Sequence, residues 1–161
     1  MAGLAGVDDD PPSAWLAEAA EVYGRIEAAV PATYRPLVET FLHAEPPARG
    51  DAVVFSHNDL GIEHVLVDAA TLAVRGVLDW SDAALTDPAV DLGLVLRDLG
   101  PAALEAALAT GAFRTGSLRE RAEFYARCSV LEDLAYGLEA PGASRYAEKS
   151  RDSLSWLFTP A

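Results

Sequence analysis

Apolar residues recur at helical spacing near the start of the chain. From Ser13 to about Val30 they stand three or four positions apart, as on one face of an α-helix, and Pro31 ends the pattern. A second helix is predicted after this proline, with an apolar face formed by Leu37, Val38, Phe41 and Leu42. Two amphipathic helices are therefore expected before the pattern first changes.

The second half of the chain is also helical in pattern. Pro88 suits the first turn of a helix, Gly100 ends that helix, and Pro101 opens the next one. A long helix is predicted over residues 117–139, and a last helix is predicted to end near Phe158.

Between these helical regions the pattern changes to short apolar runs. Residues 52–55, 64–68 and 73–79 are predicted to be strands, the first of them buried, and residues 56–63 form a polar loop. The last two strands are expected to pair as a hairpin. The predicted fold is therefore α+β and mainly helical, with a small β-hairpin that carries the polar loop. Loops held by rigid elements are frequent places for chemistry.

Length and composition fit one globular domain. The chain has 161 residues, of which 51% are apolar and 23% charged. We expect a loose lead-in over residues 1–12 and a single domain over residues 13–161. No apolar run is long enough to span a membrane, no secretory signal is visible, and Cys128 has no second cysteine for an internal disulfide. A cytoplasmic location is therefore expected.

Acidic residues outnumber basic ones by 25 to 12, so the formal net charge is −13. A surface of this sign repels nucleic acids and anionic membranes and attracts cations, so neither a nucleic acid nor a membrane is expected as a partner. The negative charge is concentrated in residues 51–98, a segment that holds nine acidic residues and only two arginines. Its nine acids are Asp51, Asp59, Glu63, Asp68, Asp79, Asp82, Asp87, Asp91 and Asp98.

Part of this acidic segment places carboxylates and imidazoles beside strand ends. His57, Asp59 and His64 surround the polar loop, and Asp79 ends the strand that follows. Because these strands are expected to pair, two carboxylates and an imidazole can converge. Such a group binds a divalent cation, or one carboxylate acts as a base while the other binds the metal. A solvated acidic face is the alternative for any single aspartate.

The order of these motifs resembles the aminoglycoside and macrolide phosphotransferase family, which has a protein-kinase-like fold. The family pattern is an HxD triplet, an Asn or His five residues after the Asp, an apolar strand, an Ile-Asp-Trp triplet and a DPxxDL segment. In this chain the pattern reads His57-Asn58-Asp59, His64, VLVD, Leu78-Asp79-Trp80 and Asp87-Pro88-Ala89-Val90-Asp91-Leu92. The resemblance implies the C-terminal catalytic lobe of such an enzyme, in which residues 53–98 form the catalytic segment.

The resemblance also implies a role for each matching residue. Asp59 would be the catalytic carboxylate, which orients the substrate hydroxyl and accepts its proton during phosphoryl transfer. His64 stands where most members have a metal-binding Asn, and together with Asp79 it would hold the Mg²⁺ that bridges the phosphates of ATP. His57 and Asp91 would support the site structurally. The Trp80 that follows Asp79 is expected in the core.

The resemblance covers one lobe of a two-lobed enzyme. The nucleotide lobe of a kinase-like protein has a sheet, a glycine-rich loop and a lysine that pairs with the phosphates. Here 56 residues precede His57, Gly3 and Gly6 stand in an unpatterned stretch, and the only lysine is Lys149, which is expected to be solvated. The chain is therefore expected to lack the nucleotide lobe, to bind ATP poorly alone and to show little turnover.

Three explanations fit a single lobe: a fragment of a longer phosphotransferase, a natural remnant, or a half whose partner chain supplies the nucleotide lobe. A lobe without its neighbour exposes apolar surface, so a homo-oligomer is also expected.

Three functions are compatible with the motif residues. The first is an ATP-dependent small-molecule O-phosphotransferase of the antibiotic-resistance type, whose acidic field suits a cationic amino sugar. The second is a non-catalytic remnant lobe that binds a cationic ligand or a protein partner. The third is a metal-dependent hydrolase that uses His57, Asp59, His64 and Asp79 as ligands.

Substrate-binding residues are expected on the helices after the DPxxDL segment. The candidates on the long helix are Glu132, Asp133 and Tyr136, with a solvated position as the favoured alternative for the charged ones. No residue is assigned to the nucleotide.

Overall fold

A computed structural model of the protein describes residues 6–112 and 117–160, so residues 1–5 of the predicted lead-in, with Gly3, lie outside the described residues. The described residues form six α-helices: α1 (Pro12–Ile26), α2 (Arg35–Leu42), α3 (Ala89–Leu99), α4 (Pro101–Ala109), α5 (Leu118–Glu139) and α6 (Ser144–Leu157). Proline stands in the first turn of α1, α2 and α4, where its missing N–H is not needed. None of the six is long and apolar enough to cross a membrane.

Five short strands form two small sheets. They are β1 (Gly6–Val7), β2 (Val54–Ser56), β3 (Val65–Val67), β4 (Val74–Val77) and β5 (Ala84–Thr86). In the first sheet β5 is central, with β1 parallel on one side and β2 antiparallel on the other. β3 and β4 form the predicted antiparallel hairpin. The loop that contains the HxD triplet leaves β2 and enters β3, so it joins the two sheets.

The core is built around α5, which packs against α1, α3 and α6. Because it has neighbours on several sides, residues such as Val130, Leu131 and Leu134 are fully buried. The approach of α6 is close: a Cβ atom on Gly137 would lie 2.8 Å from the Cα atom of Ala147. A residue without a side chain is required there, which fixes the spacing of the two helices.

The sheets differ from the sequence prediction. β1 lies in the predicted lead-in, and β5 was not predicted, because strands of two or three residues are too short to show a hydrophobic period. The predicted burial of the first strand is wrong, since Phe55 in β2 is 58% exposed. Trp80, expected in the core, is 48% exposed and stacks on Phe55 with ring centroids 5.8 Å apart.

Candidate functional site

The HxD loop is held in place by Asp91, in the first turn of α3. The Oδ2 atom of Asp91 accepts a hydrogen bond from the backbone N–H of His57, and its Oδ1 atom accepts one from the N–H of Asn58, both at 2.8 Å. Two charge-assisted bonds to adjacent amides fix the position of the loop relative to the helix. This is the contact that a supporting role for Asp91 requires.

Asn58, the middle residue of the triplet, has a left-handed backbone with φ of 67°, which asparagine adopts more readily than most residues. Its Nδ2 atom donates a hydrogen bond to Oδ2 of Asp8 at 2.8 Å. Asp8 follows β1, and its backbone N–H bonds the carbonyl of Leu85 in β5. No sequence pattern pointed to Asp8, because it lies 50 positions before its partner in a stretch without periodicity.

His57 lies beneath the loop and is 2% exposed. Its Nε2 atom is 2.8 Å from the carbonyl oxygen of Leu78, just after β4. Because a carbonyl only accepts, Nε2 carries the proton and donates it. The ring also packs against the Trp80 ring at 4.8 Å. These contacts tie the loop to the end of the hairpin.

Asp59 is the half-exposed member of the triplet, with 52% of its side chain accessible. Burial raises the pKa of its carboxyl group, and the nearby His64 acts against that rise. The Nδ1 atom of His64 is 2.7 Å from the backbone oxygen of Asp59 and 3.9 Å from its Oδ2 atom. Nδ1 therefore donates to the carbonyl, which leaves Nε2 of the neutral ring with a lone pair for a metal ion.

Asp79 follows the hairpin, is exposed, and has a left-handed φ of 58°. Hydrogen bonds from Ser81, one of them from Oγ at 2.8 Å, lower the pKa of the Asp79 carboxyl, so this group is ionised at neutral pH. The preceding residue, Leu78, donates its N–H to the backbone oxygen of His64 at 2.8 Å. His64 therefore lies between the segments that carry Asp59 and Asp79.

A cavity of about 190 Å³ opens beside Asp59. It is lined by residues of α1, the HxD loop, α3 and α5, namely Trp15, Asn58, Asp59, Leu94, Arg97, Ser129, Glu132, Asp133 and Tyr136. All three predicted substrate-binding candidates thus lie beside the predicted catalytic residue. Asp79 does not line this cavity, so the predicted convergence of the Asp59 and Asp79 carboxylates does not take place within it.

The solvated alternative for Glu132 and Asp133 is wrong. Both are partly buried, and Oε1 of Glu132 has no hydrogen-bond partner among the described residues. The Asp133 side chain is 14% exposed and ion-paired with Lys149. Burial raises the pKa of both carboxyl groups, that of Glu132 to about 7. Tyr136, one turn further along α5, is 53% exposed at the mouth of the cavity.

The expected solvation of Lys149 is also wrong. Its side chain is 15% exposed, and its Nζ atom lies 2.9 Å from Asp133, 3.1 Å from Asp98 and 3.3 Å from Glu63. Burial acts to lower the pKa of Lys149, but its acidic neighbours raise it overall. This single lysine therefore joins α6 to α3, to α5 and to the segment that follows the HxD triplet.

Asp98 is the centre of this charge network, with 1% of its side chain exposed. It accepts a hydrogen bond from Nε of Arg97 at 2.7 Å and another from the backbone N–H of Ile62 at 3.0 Å. Burial acts to raise the pKa of Asp98, but pairing with Arg97 lowers it overall. Asp98 was not predicted as a site residue. Its spacing of seven positions from Asp91, which places both on one face of a helix, is a signal that could have indicated it.

Among residues 6–112 and 117–160, no group of three or more His, Cys, Asp or Glu side chains is arranged to hold a metal ion. The four ligands of the predicted hydrolase therefore do not meet as one cluster. His64 and Asp79 remain a predicted pair of metal ligands.

A sequence model of the phosphotransferase enzyme family matches residues 2–125. The chain belongs to this family. The match runs through both sheets, the HxD loop and α3, and ends within α5. A comparison with curated proteins finds no match.

The fold of this family member is similar to that of solved macrolide 2′-phosphotransferases. A type I enzyme superposes with a TM-score of 0.57 and 22% identity, over 90% of this chain and 49% of that one. The apoenzyme of MphH from Brachybacterium faecium superposes with a TM-score of 0.53 and 26% identity, over 93% of this chain and 52% of that one. The predicted fold, part of a kinase-like phosphotransferase, is confirmed. The chain spans about half the length of each structure.

Proposed function

We propose that this lobe serves an ATP-dependent O-phosphotransferase that phosphorylates a hydroxyl group of a cationic amino sugar, such as the sugar of a macrolide. The observation that carries the proposal is the position of Asp59, which lines a cavity together with Glu132, Asp133 and Tyr136. The family match and the similarity to macrolide 2′-phosphotransferases support it.

Asp59 has the exposure that a catalytic carboxylate needs. A substrate hydroxyl in the cavity donates a hydrogen bond to this group, which takes the proton as the hydroxyl oxygen is phosphorylated. The raised pKa makes Asp59 a better proton acceptor than an ordinary carboxylate. Asp91 holds the loop that carries it, so the hydroxyl and the carboxylate keep a fixed relation.

Family members use ATP with Mg²⁺, and two residues of this chain fit the metal. The Asp79 carboxylate is ionised and exposed, and Nε2 of His64 keeps a free lone pair. A Mg²⁺ ion held there would neutralise charge on the phosphates during transfer. Because imidazole suits softer metals than Mg²⁺, we expect His64 to broaden the metal preference toward Mn²⁺.

We further propose that the part of the enzyme that binds the phosphates of ATP is not among the 161 residues of this chain. The chain spans about half of each similar structure. Its only lysine is held by Asp98 and Asp133, so it is not free to pair with phosphates. The 161-residue chain alone is therefore expected to bind Mg–ATP weakly and to turn over little.

The test compares the 161-residue chain with the product of the longest reading frame that contains it. Transfer of labelled phosphate from ATP to a macrolide is measured for both, together with Mg–ATP binding by calorimetry. We expect transfer by the longer product only, and a loss of about 10²–10⁴-fold in rate for Asp59→Asn. The control is Asp152→Asn, which changes an exposed acid on α6.

Tight Mg–ATP binding by the 161-residue chain would contradict the proposal for the nucleotide half. Transfer that survives Asp59→Asn would contradict the role of Asp59. Binding of the macrolide without any transfer would instead favour a non-catalytic lobe.

A further inference from the structure

The acidic side chains of the cavity beside Asp59 differ in what they already bind. Asp133 lies 2.9 Å from the Lys149 ammonium and 3.6 Å from Nε of Arg97. Its charge is therefore balanced within the protein. A ligand that paired with Asp133 would have to compete with two cations that are themselves largely buried.

Glu132 has no such balance. Its Oε1 atom is buried and has no hydrogen-bond partner among the described residues. Arg97, the cation that lines the cavity, is bonded through Nε and Nη2 to the carboxylate of Asp98. A buried carboxylate oxygen without a donor is costly, so its retention next to a cavity points to a donor that arrives with a ligand.

A second unpartnered atom lines the same cavity. Oδ1 of Asn58 is buried without a hydrogen-bond partner among the described residues, because the amide binds Asp8 through its nitrogen. Both atoms are oxygens that accept, and Asp59 adds another acceptor. Oδ2 of Asp133 also lines the cavity without a hydrogen bond among the described residues, but the Lys149 ammonium at 2.9 Å balances its charge. The cavity therefore suits a ligand rich in N–H and O–H donors. Trp15 and Tyr136 supply aromatic surface, which favours a cation further.

We propose that Glu132 is the specificity-determining residue of this site and that it accepts a hydrogen bond from a protonated amine of the substrate while Asp59 takes the hydroxyl. The inference rests on the proposed function, which it deepens by assigning the recognition of the ammonium to Glu132 and not to Asp133. Asn58 accepts from a neighbouring donor of the same sugar.

The electrostatics of the cavity agree with this assignment. Burial raises the pKa of Glu132 to about 7; the Glu18 carboxylate adds to the rise, Arg97 opposes it, and Asp133 adds to it. An ammonium group against Oε1 replaces the missing donor and stabilises the ionised form. Without it, Glu132 is a group that the fold retains at a cost in stability, as functional residues often are.

The experiment uses two probes that differ in the charged group only. One is a macrolide that carries a dimethylamino sugar, and the other is its N-oxide, which is neutral at pH 8 and has no ammonium N–H. Binding of each to the 161-residue chain is measured by calorimetry at pH 8. The variants are Glu132→Gln, which keeps the shape of the side chain, and Glu139→Gln, a control at an exposed position of α5.

We expect the protein to prefer the amine over the N-oxide. Glu132→Gln should weaken binding of the amine by about tenfold or more and leave the N-oxide unchanged, since a charge-assisted hydrogen bond is lost. Glu139→Gln should change neither. If Glu132→Gln binds the amine as the unmodified chain does, the inference is overturned while the proposed function stands. If the unmodified chain binds neither probe, the proposed substrate fails and the inference fails with it.

A second measurement distinguishes a ligand-binding role of Glu132 from a role in stabilising the fold. Because Oε1 of Glu132 has no hydrogen-bond donor among the described residues, Glu132→Gln should keep or raise the thermal midpoint at pH 8. A lower midpoint would show that Glu132 supports the fold, which would also overturn the inference.

Discussion

The Nζ atom of Lys149 lies 2.9 Å from Oδ2 of Asp133, so the last helix is bonded to the helix that lines the cavity beside Asp59. The same ammonium reaches Asp98, which accepts a hydrogen bond from the segment just after the HxD triplet. The position of the HxD loop and the charge of the cavity wall therefore depend in part on this largely buried cation.

Replacing this cation by an apolar side chain should be strongly destabilising. Lys149→Met leaves Asp98 and Asp133 with Arg97 as their remaining cationic partner, and we expect a loss of about 2–4 kcal/mol in the free energy of unfolding. Lys149→Arg keeps the positive charge and should retain most of the stability that Lys149→Met loses. Urea unfolding measures the difference, with Arg151→Met, at an exposed position of α6, expected to stay within about 0.5 kcal/mol. Equal effects of the two methionine variants would contradict the network.

Asp91 provides a test of the loop itself. Asp91→Ala removes the acceptor of two backbone N–H groups, those of His57 and Asn58, and we expect a loss of about 2–3 kcal/mol. Asp91→Asn keeps one acceptor oxygen, so its stability should lie between those of the unmodified chain and Asp91→Ala. Hydrogen exchange of these two amides should become faster in both variants. Unchanged exchange at His57 and Asn58 would show that other contacts hold the loop.

Local sequence patterns were sufficient to predict the helices and strands around the site. The apolar runs after His64 predicted the β3–β4 hairpin, and the long periodic segment predicted α5 almost to its ends. The HxD and DPxxDL motifs predicted that Asp91 supports the loop, because their order in the chain is characteristic of the family. In each case the information lies within about 20 consecutive residues or in a recognisable motif.

Contacts between distant segments were not predictable in this way. Lys149 and Asp98 are 51 positions apart, and a lysine on a helix is solvated in most proteins. Asp8 and Asn58 are 50 positions apart, and β5 is a three-residue strand without a pattern of its own. These contacts arise from packing of helices and strands in three dimensions, so single-residue preferences predicted the wrong environment for Lys149, Glu132 and Asp133.

Two helical glycines give a matched test of the packing between α5 and α6. Gly24 in α1 has open space where a Cβ atom would stand, whereas a Cβ atom on Gly137 would overlap the backbone nitrogen of Ala147. Gly24→Ala should stabilise the protein by about 0.5–1 kcal/mol through helix propensity. Gly137→Ala makes the same change in propensity but should destabilise by about 1–3 kcal/mol, because it forces α6 away. Thermal unfolding of both variants measures this, and a stabilised Gly137→Ala would contradict the close approach.

The raised pKa of Glu132 predicts a pH dependence of stability with a definite sign. Its folded value of about 7 lies above the ordinary value of 4.5, so between these two the folded state binds more protons than the unfolded state. The contribution of Glu132 to the free energy of unfolding therefore falls as pH rises from about 4.5 to 7. Glu132→Gln removes this contribution and leaves those of the other carboxyl groups, such as Asp98, in place.

Urea unfolding of the unmodified chain and of Glu132→Gln at pH 5 and pH 8 tests this prediction. At pH 5 Glu132 is neutral in the folded protein and only a small part of its contribution has been lost, so the stability difference between the two proteins should be small. At pH 8 the unmodified chain holds a buried carboxylate without a hydrogen-bond donor at Oε1, and the variant should be the more stable of the two. Because the other carboxyl groups titrate alike in both proteins, their effects cancel in the difference. A stability difference that is the same at both pH values would show that Glu132 is ionised throughout, as an ordinary surface glutamate is.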